Sequence, residues 1–494
     1  MKNIKKIFAA FLLLTGAACS DFLEETPEGT YSSATFYKTE THALLAVNAI
    51  YNTISFVSTD NVLWVFGDVA SDDAIKGGLA GDQSDIQFLE EFNYASNNSY
   101  LDKIWTRYYE GITRANYLLQ YGPGIDMDET LKARILGEAK FLRAYLYFNL
   151  VNIFGEIPLK ITPPLTEGDI NKPKSPVADV YSQIEDDLID AAPVLEISYT
   201  GSDVGRATRG AAYGLLAKAH LYQEEWELAL DAIDDLEALG VYALQSVYKN
   251  NFLDSTQNNS ESIFEIQHLS GQSPKLGSHL NQWLGPTKYN GYGFDVPVQD
   301  FVDEFESTEG GVVDPRLDYT VGRAGTKWID GKDFDPTWSV TGYLQKKHEQ
   351  SKSEEPIIGD ASLNYVYMRY ADVLLMKAEA LNELNRTPEA LLPLNEVRKR
   401  ARESYLYDQD LTGFGAVPEN LLPDITNIGQ VGVREAIRHE RRVELGLEFH
   451  RYFDLMRYGA MVAEAALEET NFSYEQHRYF SIPQSETDAN PLIQ

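Results

Sequence analysis

A chain of 494 residues with a hydrophobic fraction of 44% can bury a substantial core, and its length suits two to four domains or one large helical assembly. The formal net charge is −33, and three lysines of the amino-terminal leader make it more negative still once they are removed. This excludes nucleic acid and anionic lipid as electrostatic partners, because both require clustered Lys and Arg. One cysteine excludes an intramolecular disulfide.

Lys2, Lys5 and Lys6 form a positive start, Ile7 to Leu14 an apolar run, and Gly16, Ala17 and Ala18 a small-residue cleavage region. The apolar run is shorter than the roughly 20 residues that cross a bilayer. Residues 1–18 therefore read as a secretory leader. Cys19 follows directly and resembles the lipidated cysteine of a bacterial lipobox, with Gly16 where such motifs usually carry Leu. The alternative is an ordinary leader with an incidental cysteine. "CSDFLEETPEGTYSS" then reads as an extended tether.

Helical spacing begins at Thr41–Ile54, with Leu44, Val47, Ala49, Ile50 and Tyr51 in register. Residues 55–99 are punctuated by Gly and Asp and read as loops. Tyr100–Gln120 and Thr130–Ile153 predict a helical hairpin, stopped at Gly155 and Pro158, and Val177–Ala192 a further helix. In residues 209–239 the order Tyr213, Leu216, Ala217, Trp226, Ala229, Ile233 resembles a tetratricopeptide repeat, in which small residues let paired helices approach closely. Residues 367–401 repeat the layout more loosely through Ala378, Leu381, Ala390 and Leu394. Two repeats are fewer than a free-standing solenoid needs, so these helices should pack on the rest of the chain. Between 242 and 364 the helical period fails. "SIFEIQH" predicts a strand and "VQDFVDEFES" a short helix there, and so long an irregular stretch points to functional loops. In 437–459, charges of alternating sign at three- and four-residue spacing predict a salt-bridged structural helix.

The motifs as a set resemble the SusD/RagB family. "FLRAYLYFNLVNIFGEIPL", "VYSQIEDDL" and "ATRGAAYGLLAKAHLY" are similar to its amino-terminal half. "DPRL", "YMRYADVLLMKAEALNE", "IRHERRVELGLEFHRYFDLMRYG" and "RYFSIPQSETDANP" are similar to its carboxy-terminal half, in the family's order. The resemblance implies a mainly α fold. Tetratricopeptide-like helix pairs form the scaffold, and long irregular loops with a few short strands build a ligand-binding face. It implies halves at 19–240 and 241–494, the second holding the loop-rich region 242–364. It also implies a lipoprotein on the outer membrane that binds a glycan, less often a peptide, beneath which sits a SusC-like, TonB-dependent β-barrel transporter. No catalytic residue, cofactor or metal is expected. An oligopeptide-binding lid, a non-binding helical-repeat assembly protein and a surface enzyme are the alternatives.

The residues themselves bear on these choices. The carboxylate pairs Asp72/Asp73 and Asp333/Asp335 could in principle serve glycoside hydrolysis, but adjacent loop residues rarely face each other at the required separation. His439 and His450 are eleven apart, where the helical zinc motif needs four. "GQVG" at 429–432 lacks the preceding strand of a phosphate loop. Trp105 and Trp226 fall in helical rhythm and should be core, while Trp64 lies in a short apolar run and should be half-buried. Trp283, Tyr289, Tyr292, Trp328 and Trp338 occupy the irregular segment 276–345, where Gly285, Pro286, Gly291, Gly293, Gly325 and Gly331 exclude regular helix. Flat rings match the apolar faces of sugars, so these five are expected to include the stacking platform, with Lys332 or Asp333 as a polar contact. If instead they pin their own loops, the platform is expected around Asn61, Trp64 and Lys76.

Overall fold

Helices start where a side chain can replace the missing backbone acceptor. Thr39, Asn98, Asp128 and Thr208 each accept a hydrogen bond from a first-turn N–H and open the helices Glu40–Ile54 (α1), Ser99–Tyr121 (α2), Glu129–Phe154 (α3) and Arg209–Tyr222 (α5). Val177–Ala191 (α4) and Trp226–Ala238 (α6) complete the amino-terminal set. The carboxy-terminal set is Tyr370–Glu383 (α7), Thr387–Tyr407 (α8), Gly429–Leu445 (α9) and Arg451–Tyr458 (α10). These are the helices of eight residues or more in the computed structural model, which describes residues 36–350 and 359–493. The leader, Cys19 and the tether lie outside the described residues.

From α1 to α9 each helix packs on the next in sequence, forming one continuous array. The tetratricopeptide-like pairs α5/α6 and α7/α8 are its middle, which explains why two repeats suffice: helices on both sides cover their flanks. α3 lies deepest, and every side chain from Phe141 to Val151 is buried, so its sequence shows little amphipathic stripe. Close approach is bought by small residues. A Cβ on Gly214 of α5 would lie 2.7 Å from Met368 Sδ, so only glycine lets this helix rest on the sheet beneath it. The main apolar core runs from Ala43 to Phe480 and draws on both sides of residue 240. Trp105 is in that core, whereas Trp226, expected there too, is only partly buried against it.

The irregular segment between α6 and α7 contributes five strands to three two-stranded antiparallel sheets, and the sixth strand, Ala74–Gly77, comes from between α1 and α2. Ala74–Gly77 (β1) pairs with Phe294–Pro297 (β3), Ser262–Ile266 (β2) with Tyr365–Arg369 (β6), and Val321–Gly322 (β4) with Leu344–Gln345 (β5). The strand and the short helix predicted from sequence are β2 and Gln299–Asp303.

Buried charge ties this segment to the scaffold. The expected single helix over 437–459 is in fact two, parted at Gly446, where a Cβ would collide with the Phe301 ring at 2.4 Å. Its charges pair mostly across the fold and not along the helix. Glu440 takes Arg316 and Arg398. Glu444 takes Arg316, Arg369 and Arg400. Glu448 takes Arg369 and Lys347, and Glu261 joins Arg369 to Arg400. All are buried. Burial alone would raise the Glu448 carboxyl, but Arg369 and Lys347 outweigh it and hold it at about 2.

Two outcomes follow from this arrangement. Arg369→Met strands Glu444, Glu448 and Glu261 without their shared partner, and should lower the unfolding free energy in urea titration by about 3–5 kcal/mol. The Glu448 carboxyl sits below its ordinary value of 4.5, so its contribution is complete above that pH and is lost as pH falls toward about 2. Melting temperature should therefore fall steeply from pH 4.5 to 2, and Glu448→Gln, already weaker at pH 7, should lose less over that interval; an equal acid slope in both proteins would refute the assignment.

Candidate ligand-binding face

The candidate aromatics fall into two groups, one on each side of β3. Trp283 packs into the main core, edge-on to Trp64 at 5.3 Å and to Tyr292 at 6.4 Å, with Phe294 at 6.0 Å. Trp328 and Trp338 form a separate small core with Phe334, Val296 and Leu344, and Tyr289 closes it at 5.2 Å from Trp338. Asp295 at φ 54° lies between the two groups, in the left-handed region that L-residues seldom adopt. The kink accompanies a split in which Phe294 belongs to one cluster and Val296 to the other.

Exposure separates rings that can meet a ligand from rings that hold the loops. Trp283, Trp328 and Trp338 are only 6%, 4% and 6% exposed, so of the five expected to include the platform the three tryptophans pin their own loops. Trp328 packs directly on the strand β4, where a Cβ on Gly322 would sit 2.8 Å from its ring. Tyr292 is 46% exposed and Tyr289 half-buried. The loop carrying both is closed by the Gly293 N–H donating to the Gly285 carbonyl at 2.9 Å. Gly291 crosses so near that a Cβ would lie 2.1 Å from that same carbonyl oxygen, which accounts for the glycine.

Lys332 and Asp333 are both at the surface. Lys332 Nζ lies 5.7 Å from the Tyr289 ring centre and 2.8 Å from Asp330, and Asp333 pairs with Lys327 at 2.5 Å. Two lysines escaped the sequence reading. Lys288 Nζ stands 5.1 Å from the Trp338 ring centre and 6.0 Å from that of Tyr289. Lys103, on α2, stands 5.9 Å from that of Trp283. Lys288 was discoverable as the neighbour of Tyr289, but nothing in the sequence connects Lys103 with residues some 180 positions away.

The fallback set belongs to the framework. Trp64, expected half-buried, is 1% exposed, because it is sandwiched by Trp283 and Phe294. Asn61 donates from Nδ2 to the Ile54 carbonyl at 2.7 Å, and Lys76 from Nζ to that of Asp82 at 2.7 Å. The carboxylate pairs are also engaged. Asp72 meets Arg451 and Arg442, and although burial pushes its carboxyl up, these guanidinium groups hold it below the usual range. Burial dominates at Asp73, pushed up to about 6 despite Arg442. Asp335 caps the turn Pro336–Trp338 and faces away from any pairing with Asp333, which is bound to Lys327. Gly429 of "GQVG" merely opens α9.

Beneath the face lies a recess of only about 30 Å3, lined by Asn281, Pro286, Tyr289, Trp328, Asp330 and Gln350, room for about one water molecule. The face itself therefore offers a surface and not a cavity. No helix among the described residues is long and apolar enough to cross a membrane.

Comparison with known proteins bears on this architecture. Residues 260–494 match the profile described as "SusD family", and residues 21–221 one described as "Starch-binding associating with outer membrane". A SusD-like protein of Formosa agariphila is 26% identical, covering 100% of this chain and 98% of its own. Among solved structures, a SusD-like carbohydrate-binding protein from Bacteroides fragilis is 26% identical at a TM-score of 0.79, over 93% of this chain and 100% of its own. A laminarin-binding SusD-like protein is 29% identical at a TM-score of 0.75, over 92% and 98%. Motifs, helical array and loop-built face thus agree from one end of the described structure to the other, and the chain belongs to the SusD/RagB family.

Proposed function

We propose that this protein is a non-catalytic, cell-surface lipoprotein that captures an oligosaccharide and passes it to a SusC-like, TonB-dependent β-barrel in the outer membrane. The observation that carries the reading is the Tyr292 ring, exposed on an open face and backed by Trp283, in a chain 29% identical to a laminarin-binding relative. A tyrosine so placed offers a flat apolar surface and a hydroxyl at its rim, which suits the C–H face and hydroxyls of a sugar. Tyr292 and Tyr289 would stack on the ligand. Lys332, Lys288 and Asp333 would bond its hydroxyls, while Trp283, Trp328 and Trp338 brace the loops from behind. Glycan binding without hydrolysis is supported by the carboxylate pairs, which are held by arginines or lysine or spent on a turn. Attachment would be through acyl chains on Cys19.

Laminarin is the first ligand to test. Tyr292→Ala should weaken binding by about 1–3 kcal/mol, the range seen for aromatic stacking on nucleobases, with little change in melting temperature. Trp328→Ala and Trp338→Ala should do the reverse in first instance, lowering stability by about 3–5 kcal/mol. Calorimetry on these three variants and on Tyr289→Ala decides it: unchanged affinity in Tyr292→Ala and Tyr289→Ala alike would remove the stacking platform. Binding of oligopeptides with no binding of glycans would move the reading to a peptide receptor.

Anchoring and partnership have their own test. Cys19→Ala, expressed in cells lacking the cognate barrel, should leave the membrane fraction while keeping its fold, since a lipid chain is the membrane attachment proposed. Retention of that variant in the outer membrane would contradict the lipid anchor. Wild-type protein extracted in detergent without any TonB-dependent barrel would contradict the partnership.

A further inference from the structure

Away from the loop face, α4, the end of α5 and the turn into α6 bring together Glu185, His220 and Glu225. His220 Nδ1 lies 2.7 Å from Glu225 Oε2 and 3.9 Å from Glu185 Oε1, and the three ligand-type atoms all lie within 4.8 Å of one another. We propose that these residues form a binding site for a zinc ion.

The spacing is the first reason. A tetrahedral zinc with bonds of about 2.0–2.2 Å sets its ligand atoms about 3.3–3.6 Å apart, and the two observed separations straddle that value. Sub-ångström shifts of two carboxylate ends would complete the geometry. The framework is stiff enough to present it: α4 packs on α5 and α5 on α6, His220 is buried, and the Glu225 N–H donates to the His220 carbonyl at 3.0 Å across the turn. Gln223 donates from Nε2 to Glu185 Oε1 at 2.6 Å, the kind of outer contact that orients a metal-binding carboxylate.

Charge is the second reason. Among the described residues, Glu185 and Glu225 have no ion-pair partner other than His220. Two carboxylates facing one imidazole leave an excess of negative charge whether or not the ring is protonated. A comparable group, Glu306, His439 and Glu440, shows the contrast: Arg398 binds both its carboxylates and Arg316 binds Glu440, so no cation is called for. An imidazole nitrogen among the ligands selects a first-row transition ion over calcium or magnesium, which take oxygen. Three protein ligands leave one position, which water would fill, and Glu185 and Glu225 are only half-buried, so the site opens to solvent. The bland reading is a histidine–glutamate hydrogen bond closing the α5–α6 turn, with Glu185 a bystander.

The test uses the full mature chain, stripped with EDTA and titrated with zinc chloride in a calorimeter. One ion per chain should bind, with a rise in melting temperature that magnesium and calcium do not reproduce. Glu185→Gln and Glu225→Gln, whose side chains are half-buried, should fold as before and each lose about tenfold or more in zinc affinity, as even outer-shell changes do at metal sites. The Glu185 variant separates the proposal from the bland reading, which assigns Glu185 no role. His220→Gln should abolish binding; if it fails to fold, the two glutamate variants carry the test. Absence of stoichiometric binding, wild-type zinc affinity in either glutamate variant, or loss of binding in His439→Gln instead would overturn the assignment.

Discussion

The ion network around Glu440, Glu444 and Glu448 is the interaction on which the architecture depends. These carboxylates, spaced four apart, lie on α9 and just beyond its end, and they reach basic groups from every part of the carboxy-terminal half. Arg316 and Lys347 come from the irregular segment, Arg369 from β6, and Arg398 and Arg400 from α8. Asp314 and Glu261 complete the balance, and Asp314 also caps the short helix in which Arg316 lies. Exchanging such a network for apolar residues can be neutral or stabilising, so its role is better seen as positional than as a source of net stability. A segment of more than a hundred residues with three minimal sheets has little regular structure to locate it. Bidentate arginines with one satisfying geometry locate it by direction, which dispersion contacts alone would not.

The same logic separates what the sequence discloses from what it hides. The long amino-terminal helices were legible to within a residue or two, because caps and apolar periodicity are local: Thr41–Ile54 is observed as Glu40–Ile54, and Tyr100–Gln120 as Ser99–Tyr121, whereas the short helix Ser84–Glu90 lies in a stretch read as loops. The charged run at 437–459 was legible as scaffold but not in its pairing, since spacing along a helix says nothing of arginines some 40 to 130 positions away. The break at Gly446 was hidden for a similar reason, because Phe301, which demands the missing side chain, comes from another part of the chain.

At the candidate face the structure gathers the segment singled out from the sequence but turns its tryptophans inward. Tryptophan in a glycine-rich loop reads equally as a ligand platform or as the loop's own core, and composition cannot choose. Trp328 and Trp338 became core because Phe334, Val296 and Leu344 fold around them, a cluster assembled from three separate strands and turns. Tyr292, with its ring edge toward Trp283, stayed at the surface.

Behind those rings the chain tolerates a second cost. Asp68 and Asp295 are fully buried; burial first, then repulsion from Asp295 and Asp73, pushes the Asp68 carboxyl well up against the weaker pull of Lys347, and burial, then Asp73, does the same to Asp295. Neutral carboxyls can act as donors as well as acceptors. Asp68 accepts from the Phe449 N–H at 3.0 Å, and Asp295 accepts from Gln345 Nε2 at 3.3 Å. Asp68 thereby joins the turn after Trp64 to the start of α10, while Asp295 joins β3 to β5 beneath the face. Near the scaffold, where arginines abound, the fold is fixed by full charges. Near the candidate face it is fixed beneath the surface by uncharged polar contacts and stacked rings, while the surface lysines Lys332 and Lys327 pair with Asp330 and Asp333 of their own loop. Charge there is balanced locally, within the loop, and the layer below carries the packing.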